Sequence, residues 1–202
     1  PCMSTMRYEA INYLRLKHTG LQVSIATLIQ VSCLNCNEYA IPVLDTNILI
    51  ESKNRTPFDV FPSYWEKLKK GIIAGNVFTS EKVKNEIFRG NEGDELVAWI
   101  DSLPNHFFID LDAEVMIEYA RIINCVNINP NYLAPAKAEF ASADIADAFL
   151  IATASAKNIL LVTNEVSEPQ RRNRVKIPDV AASQNVICCS LIDMLRGLHI
   201  SI

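Results

Sequence analysis

From residue 41 to the end of the chain, short apolar runs alternate with longer amphipathic stretches, and this alternation limits the fold more than any other feature. Strands are expected at 41–44, 77–79, 107–111, 159–162 and 186–188, where apolar residues are too few in a row for a helix. Helices are expected at 62–71, 80–88, 94–103, 112–126, 130–140, 144–157 and 190–198. Pro62 suits a first helical turn, and Lys67, Lys69 and Lys70 suit the last turn of the same helix. In 112–126, Val115, Tyr119, Ile122, Ile123 and Val126 recur at helical spacing, and in 144–157 so do Ile145, Phe149, Ala152 and Ala156. Strands separated by helices must pair in parallel. The expected fold is therefore a three-layer α/β/α sandwich around a parallel sheet of about five strands.

Residues 1–40 have a different texture and are read as an N-terminal extension without assigned chemistry, ahead of a domain at 41–202. Tyr8, Ile11, Leu14 and Leu16 suit one side of a short helix before Gly20, and the run from Val23 to Leu34 fits helix or strand equally well. The apolar stretch from Leu21 to Cys33 is too short for a bilayer span and has no small-residue cleavage site after it, so no membrane partner and a cytoplasmic location are expected. Cys33 and Cys36 form a lone C-x-x-C with no second pair to complete a zinc site. Cys188 and Cys189 sit in an apolar run, where packing is the expected role. With a net charge of −4, the molecule as a whole is no basic nucleic-acid coat, and any such contact must rest on local patches.

The acids fall in a pattern. Chemistry in open parallel sheets gathers at the carboxyl ends of the strands. Asp45 stands at that end of the first strand, and Glu165 just past that end of the fourth. Glu86 lies about two turns into the helix that leaves the second strand, and Asp147 in the first turn of the helix before the fourth. Each has an ordinary role when taken alone: Asp144 as a cap with Asp147 beside it at a helix N-terminus, Glu86 as a solvated residue, Asp45 in a turn, Glu165 on a loop. Neighbouring strands one, two and four would bring all four carboxylates to one cleft. Like charges gathered there need protons or a cation, and a hard divalent ion with oxygen ligands answers that need. Arg171, Arg172, Arg174 and Lys176 follow Glu165 in a polar loop, equally a phosphate-binding segment or a solvated one. Lys82 and Lys84 are secondary candidates. Phe58, Tyr64 and Trp65 are candidates for stacking on bases, with core packing the safer reading for Trp65.

These residues carry a resemblance. Val43-Leu44-Asp45-Thr46-Asn47 resembles the opening strand and D-x-N of PIN domains, and Glu86-Ile87 with Gly90 resembles their second-acid segment. Asp147-Ala-Phe-Leu-Ile-Ala-Thr-Ala is similar to the third-acid helix, and Leu161-Val162-Thr163-Asn164-Glu165 to the strand and T-x-D that follow it. Glu165 stands where many PIN domains have Asp. The likeness covers roughly residues 41–200. It is closer to a branch catalogued only as a domain of unknown function. That narrower likeness rests on Pro57-Phe58-Asp59 with Phe61-Pro62 and Trp65, on Gly90, Asp94-Glu95-Leu96 and Trp99, and on Lys176-Ile177-Pro178. The extension at 1–40 has no counterpart.

The resemblance implies a ribonuclease that hydrolyses RNA with Mg²⁺ or Mn²⁺. Asp45, Glu86 and Asp147 would hold the ion, Glu165 would assist directly or through water, and Asn47 and Thr163 would orient carboxylates. It further implies the toxin role of a toxin–antitoxin pair, with an antitoxin protein as partner and a homodimer as assembly. Two other readings compete. A PIN-like binding or scaffold module would have no need of converging acids. A phosphatase of the haloacid dehalogenase type would need a second Asp two residues after Asp45, where this chain has Asn47.

Overall fold

The computed structural model describes residues 41–90 and 93–201. The expected extension at 1–40, with Cys33 and Cys36, lies outside the described residues. Five parallel strands form one sheet: β1 (Pro42–Leu44), β2 (Phe78–Ser80), β3 (Phe108–Ile109), β4 (Leu160–Val162) and β5 (Cys188–Cys189). Their order is β3-β2-β1-β4-β5. In the centre, Val43 pairs with Phe78 on one side and with Leu161 on the other. Every residue of β1 and β4 is buried, as strands covered on both faces must be.

Chain order gives the layers. The strands step one way from β1 to β3, and the chain then crosses to β4 on the other side of β1. With right-handed crossovers, helices joining strands in opposite directions lie on opposite faces, which makes the α/β/α sandwich. The gap between β1 and β4 is the switch point, where a crevice opens at the carboxyl ends.

Nine α-helices complete the described residues: α1 (Thr46–Arg55), α2 (Pro62–Ile73), α3 (Glu81–Gly90), α4 (Glu95–Asp101), α5 (Ala113–Ile128), α6 (Ala134–Phe140), α7 (Asp147–Lys157), α8 (Ile177–Ser183) and α9 (Leu191–Gly197). Sequence periodicity misses two of them. In α1, Thr46, Ile48, Leu49 and Ser52 are buried, so polar residues sit on its inner face and blur the apolar pattern. The start of α8 is marked by Pro178 in its first turn.

The helix expected at 144–157 starts instead at Asp147. Its N-cap is Ala146, and no side chain caps it. Asp144 is not the cap, because residues 142–145 form a turn and the Asp144 carboxylate pairs with Arg89 at 2.6 Å. Likewise the helix expected at 130–140 starts at Ala134, because Leu133 N–H donates to the Arg172 carbonyl before helical bonding begins.

Tyr64 and Trp65 are core residues, too buried to stack on bases, and partly buried Phe58 packs against them. Trp65 is buried, stacks on Phe58 at 4.0 Å, meets Trp99 edge-on at 4.8 Å and donates through Nε1 to the Thr56 carbonyl. The Tyr64 hydroxyl is bonded to Ser52 in the core. Ring area and paired polar tips make this cluster a structural anchor between α1, α2 and α4. Cys189 is buried and Cys188 partly so; neither forms a disulfide, and burial, with the charge of Asp45 added, pushes the Cys188 thiol up to about 12. No described helix is long and apolar enough to cross a membrane.

Candidate active site

Asp45 is the residue on which β1 ends and α1 begins. Its backbone N–H continues the sheet by donating to the Val162 carbonyl of β4, and its side chain caps α1. Sheet and helix together therefore fix its position. The carboxylate is fully buried, accepting from the Thr163 hydroxyl at 2.9 Å on Oδ2 and from the Asn47 backbone N–H at 3.4 Å on Oδ1. Thr163 is itself aligned, because its hydroxyl accepts from the Glu165 N–H at 3.1 Å. Asn47 reaches the same carboxylate through its main chain.

Burial pushes Asp45 up from 3.8 to about 6; the nearby charges of Glu165 and Glu86 push the same way, and the bonds from Thr163 and Asn47 push back.

Asp147 enters from the first turn of α7, partly buried, and accepts no hydrogen bond from any described residue. It goes up from 3.8 to about 7, first through burial and then through the charges of Asp45, Glu165 and Glu86, with Arg174 opposing. These mutual effects set the four carboxylates in one electrostatic neighbourhood at the carboxyl edge of β1, β2 and β4.

Glu86 accepts a 2.6 Å bond from the Thr46 hydroxyl, which ties α3 to the start of α1. Thr46 went unnoticed in the sequence. Its signal was its place, one residue after the acid that ends β1. Two further bonds hold α3 to the loop before α7: Lys82 Nζ donates to the Ala143 carbonyl at 3.0 Å, and Arg89 pairs with Asp144. Lys82 also lies over the Phe149 ring at 4.6 Å, and Lys84 over Phe108 at 4.9 Å. Lys82 thus ties α3 to the loop before α7, and Lys84 rests against the ring at the start of β3.

Glu165 sits differently. Lys176 Nζ donates to Oε1 at 3.1 Å, the Ile177 backbone N–H donates to Oε2 at 2.9 Å, and Arg174 stands 3.6 Å from Oε1. Both oxygens are committed to protein donors. The rest of the basic loop is engaged too. Arg171 Nη1 reaches both oxygens of Glu168 at 2.9 and 3.1 Å, and Arg172 Nε donates to the Asn131 carbonyl at 3.1 Å. The loop is not a uniform positive strip, because most of its cations are already balanced or bonded.

Oxygen donors alone, carrying excess negative charge, suit a hard divalent cation such as Mg²⁺ or Mn²⁺. Among the described residues, no three Asp, Glu, His or Cys side chains stand close enough as placed to close on a single ion. That fits an ion bound by one or two carboxylates with water and substrate oxygens completing its shell, a common arrangement for Mg²⁺. Among the described residues Asp45 and Asp147 have no cation paired with them, whereas Glu165 already faces Lys176 and Arg174.

No curated protein and no solved structure matches the chain. A family described as a domain of unknown function (DUF4411) matches residues 43–202, a span that holds all four acids and, apart from Pro42, all five strands. The chain therefore belongs to the DUF4411 family.

Proposed function

We propose that the domain is a metal-dependent ribonuclease of the PIN type, hydrolysing RNA phosphodiester bonds with Mg²⁺ or Mn²⁺. One observation carries the reading: at the carboxyl edge of the sheet Asp45 is buried at the end of β1 and Asp147 enters from α7 with no hydrogen bond from any described residue, and burial first, then neighbouring acids, push them up to about 6 and about 7. Two carboxylates held in that state weaken the fold unless a cation relieves them, and stored electrostatic cost of this kind marks functional sites. The resemblance of the four acid segments to PIN domains supports the same reading.

Asp45, Glu86 and Asp147 would hold the ion, one or two of them directly and the rest through its waters. Thr163 and the Asn47 N–H aim Asp45, and Thr46 aims Glu86. A bound divalent ion supplies water activation and relief of the charge that builds on a phosphate under attack. Buried Asp45 fixes one edge of the site, and partly exposed Asp147 faces incoming substrate. The toxin role, an antitoxin protein as partner and a homodimer belong to this proposal through the resemblance.

Purified protein given a panel of structured RNAs is expected to cut in Mn²⁺ or Mg²⁺ and to stop in chelator. The folded Asp45→Asn variant should be silent on the same panel. Cutting that persists in chelator, or in that variant, removes the reading.

A further inference from the structure

The loop after Glu165 contains four cations, and two of them are paired within the protein: Arg171 with Glu168 and Lys176, only 12% exposed, with Glu165. Arg172 is tied through Nε to the Asn131 carbonyl, away from the acids. Arg174 is placed differently. Its side chain is 45% exposed, and its guanidinium lies 3.6 Å from Glu165 Oε1, close enough for attraction but too long for a good hydrogen bond. It lines the same small cleft as Asp147, between Phe140, Ile145 and Val175, and its charge is felt at the Asp147 carboxylate.

Glu165 is built as a brace. A side chain 8% exposed, holding Lys176 on one oxygen and the first backbone N–H of α8 on the other, fixes the loop's return to the sheet. Removing it from these donors would leave a nearly buried ammonium unpaired, which is costly. Attraction to the same carboxylate orients Arg174 while leaving its N–H groups open. A planar guanidinium with free donors beside an acidic cleft matches a phosphodiester oxygen pair.

We propose that Arg174 grips a backbone phosphate of the RNA next to the bond being cut, and that Glu165, with Lys176, is the positioning residue that aims it and not a ligand of the metal. The inference rests on the nuclease reading and names how its substrate is held.

The test uses the full chain, Mn²⁺ calorimetry without RNA, and cleavage kinetics on a single-stranded RNA that the wild type cuts. Arg174→Gln, a surface change, should raise KM about tenfold and leave Mn²⁺ affinity unchanged. Arg174→Lys should recover part of that loss. Glu165→Gln should also raise KM, keep Mn²⁺ affinity within about twofold, and add little to Arg174→Gln in the double variant, because both act through one contact. An unchanged KM in Arg174→Gln overturns the proposal, and so does Mn²⁺ binding weakened about tenfold or more in folded Glu165→Gln. Those results leave the nuclease reading standing. A wild-type chain that neither cuts RNA nor takes up Mn²⁺ ends both.

Discussion

The two sides of the acidic cleft use the same chemical group to opposite ends. On the side of β1 and α7, Asp45 and Asp147 have no cation bonded to them, and burial, with the charges of neighbouring acids added, drives both toward protonation. On the side of β4, Glu165 receives an ammonium and a backbone N–H and sits near a guanidinium, all from the dozen residues that follow it. A carboxylate that brings its own counter-charge holds the fold, whereas one that lacks it costs the fold something and is open to an outside cation. The difference lies in the donors that each local segment delivers.

The largest test of this contrast is Asp147→Asn. With no hydrogen bond to lose, the change should leave the fold intact while cleavage falls about a thousandfold or more. Asp45→Asn should do the same. If Glu165→Gln silences the enzyme as fully as Asp147→Asn, with Mn²⁺ binding lost in step, the two sides are equivalent and the contrast fails.

Next in size is the pH dependence of metal-free stability. Asp45 and Asp147 have folded values of about 6 and about 7, above the 3.8 of an ordinary Asp. The folded state then binds more protons at these two groups than the unfolded state between those values, so their contribution to stability is full below about pH 4 and is lost as pH rises to about 7. A loss of up to about 7 kcal/mol across that window is expected, read from denaturant midpoints in chelator. Saturating Mg²⁺ should flatten the decline, since it binds the folded, deprotonated site. Asp147→Asn should flatten part of it without metal. A stability that rises over the same window contradicts the electrostatic account of that side.

Much of this arrangement was legible in the sequence. Asp45 directly after Pro42-Val43-Leu44, and Thr163 directly after Leu160-Leu161-Val162, mark strand ends, because an apolar run broken by a polar residue has few other meanings in an alternating α/β chain. The five strands follow from that logic to within a residue or two. Other features depend on partners far along the chain. Thr46 looked like an ordinary residue of an acid motif until α3 brought Glu86 to its hydroxyl from 40 residues away. Lys176 looked like a phosphate-binding cation until the loop folded it back on Glu165. Asp144 looked like a cap until Arg89 drew it away from α7. Periodicity reports which face of an element is buried, but says nothing about which charge meets which across elements.

Thr46 gives a third, smaller test. Thr46→Val keeps the shape of the side chain and removes the donor to Glu86, so Glu86 loses its aim while Asp45 and Asp147 keep theirs. Mn²⁺ affinity should fall about tenfold to a hundredfold, measured by calorimetry without RNA. Affinity equal to that of the wild type would mean that Glu86 contributes charge to the cleft but no contact with the ion.

The smallest effect is expected at Arg171, and it bears on the contrast between committed and open charges. Arg171 and Glu168 form an exposed pair, with side chains 37% and 44% accessible. Such pairs contribute little to stability, so Arg171→Gln should shift it by less than about 0.5 kcal/mol. Its charge is already balanced by Glu168, so RNA affinity in chelator should change by less than about twofold, and the slope of log affinity against log salt should stay within about one unit of the wild type. Arg174→Gln should flatten that slope by about one unit, because it removes a phosphate contact outright. Equal flattening by both variants would show that RNA meets the loop as an undivided positive patch. The distinction between a cation held by the fold and one left open for substrate would then have no consequence for binding.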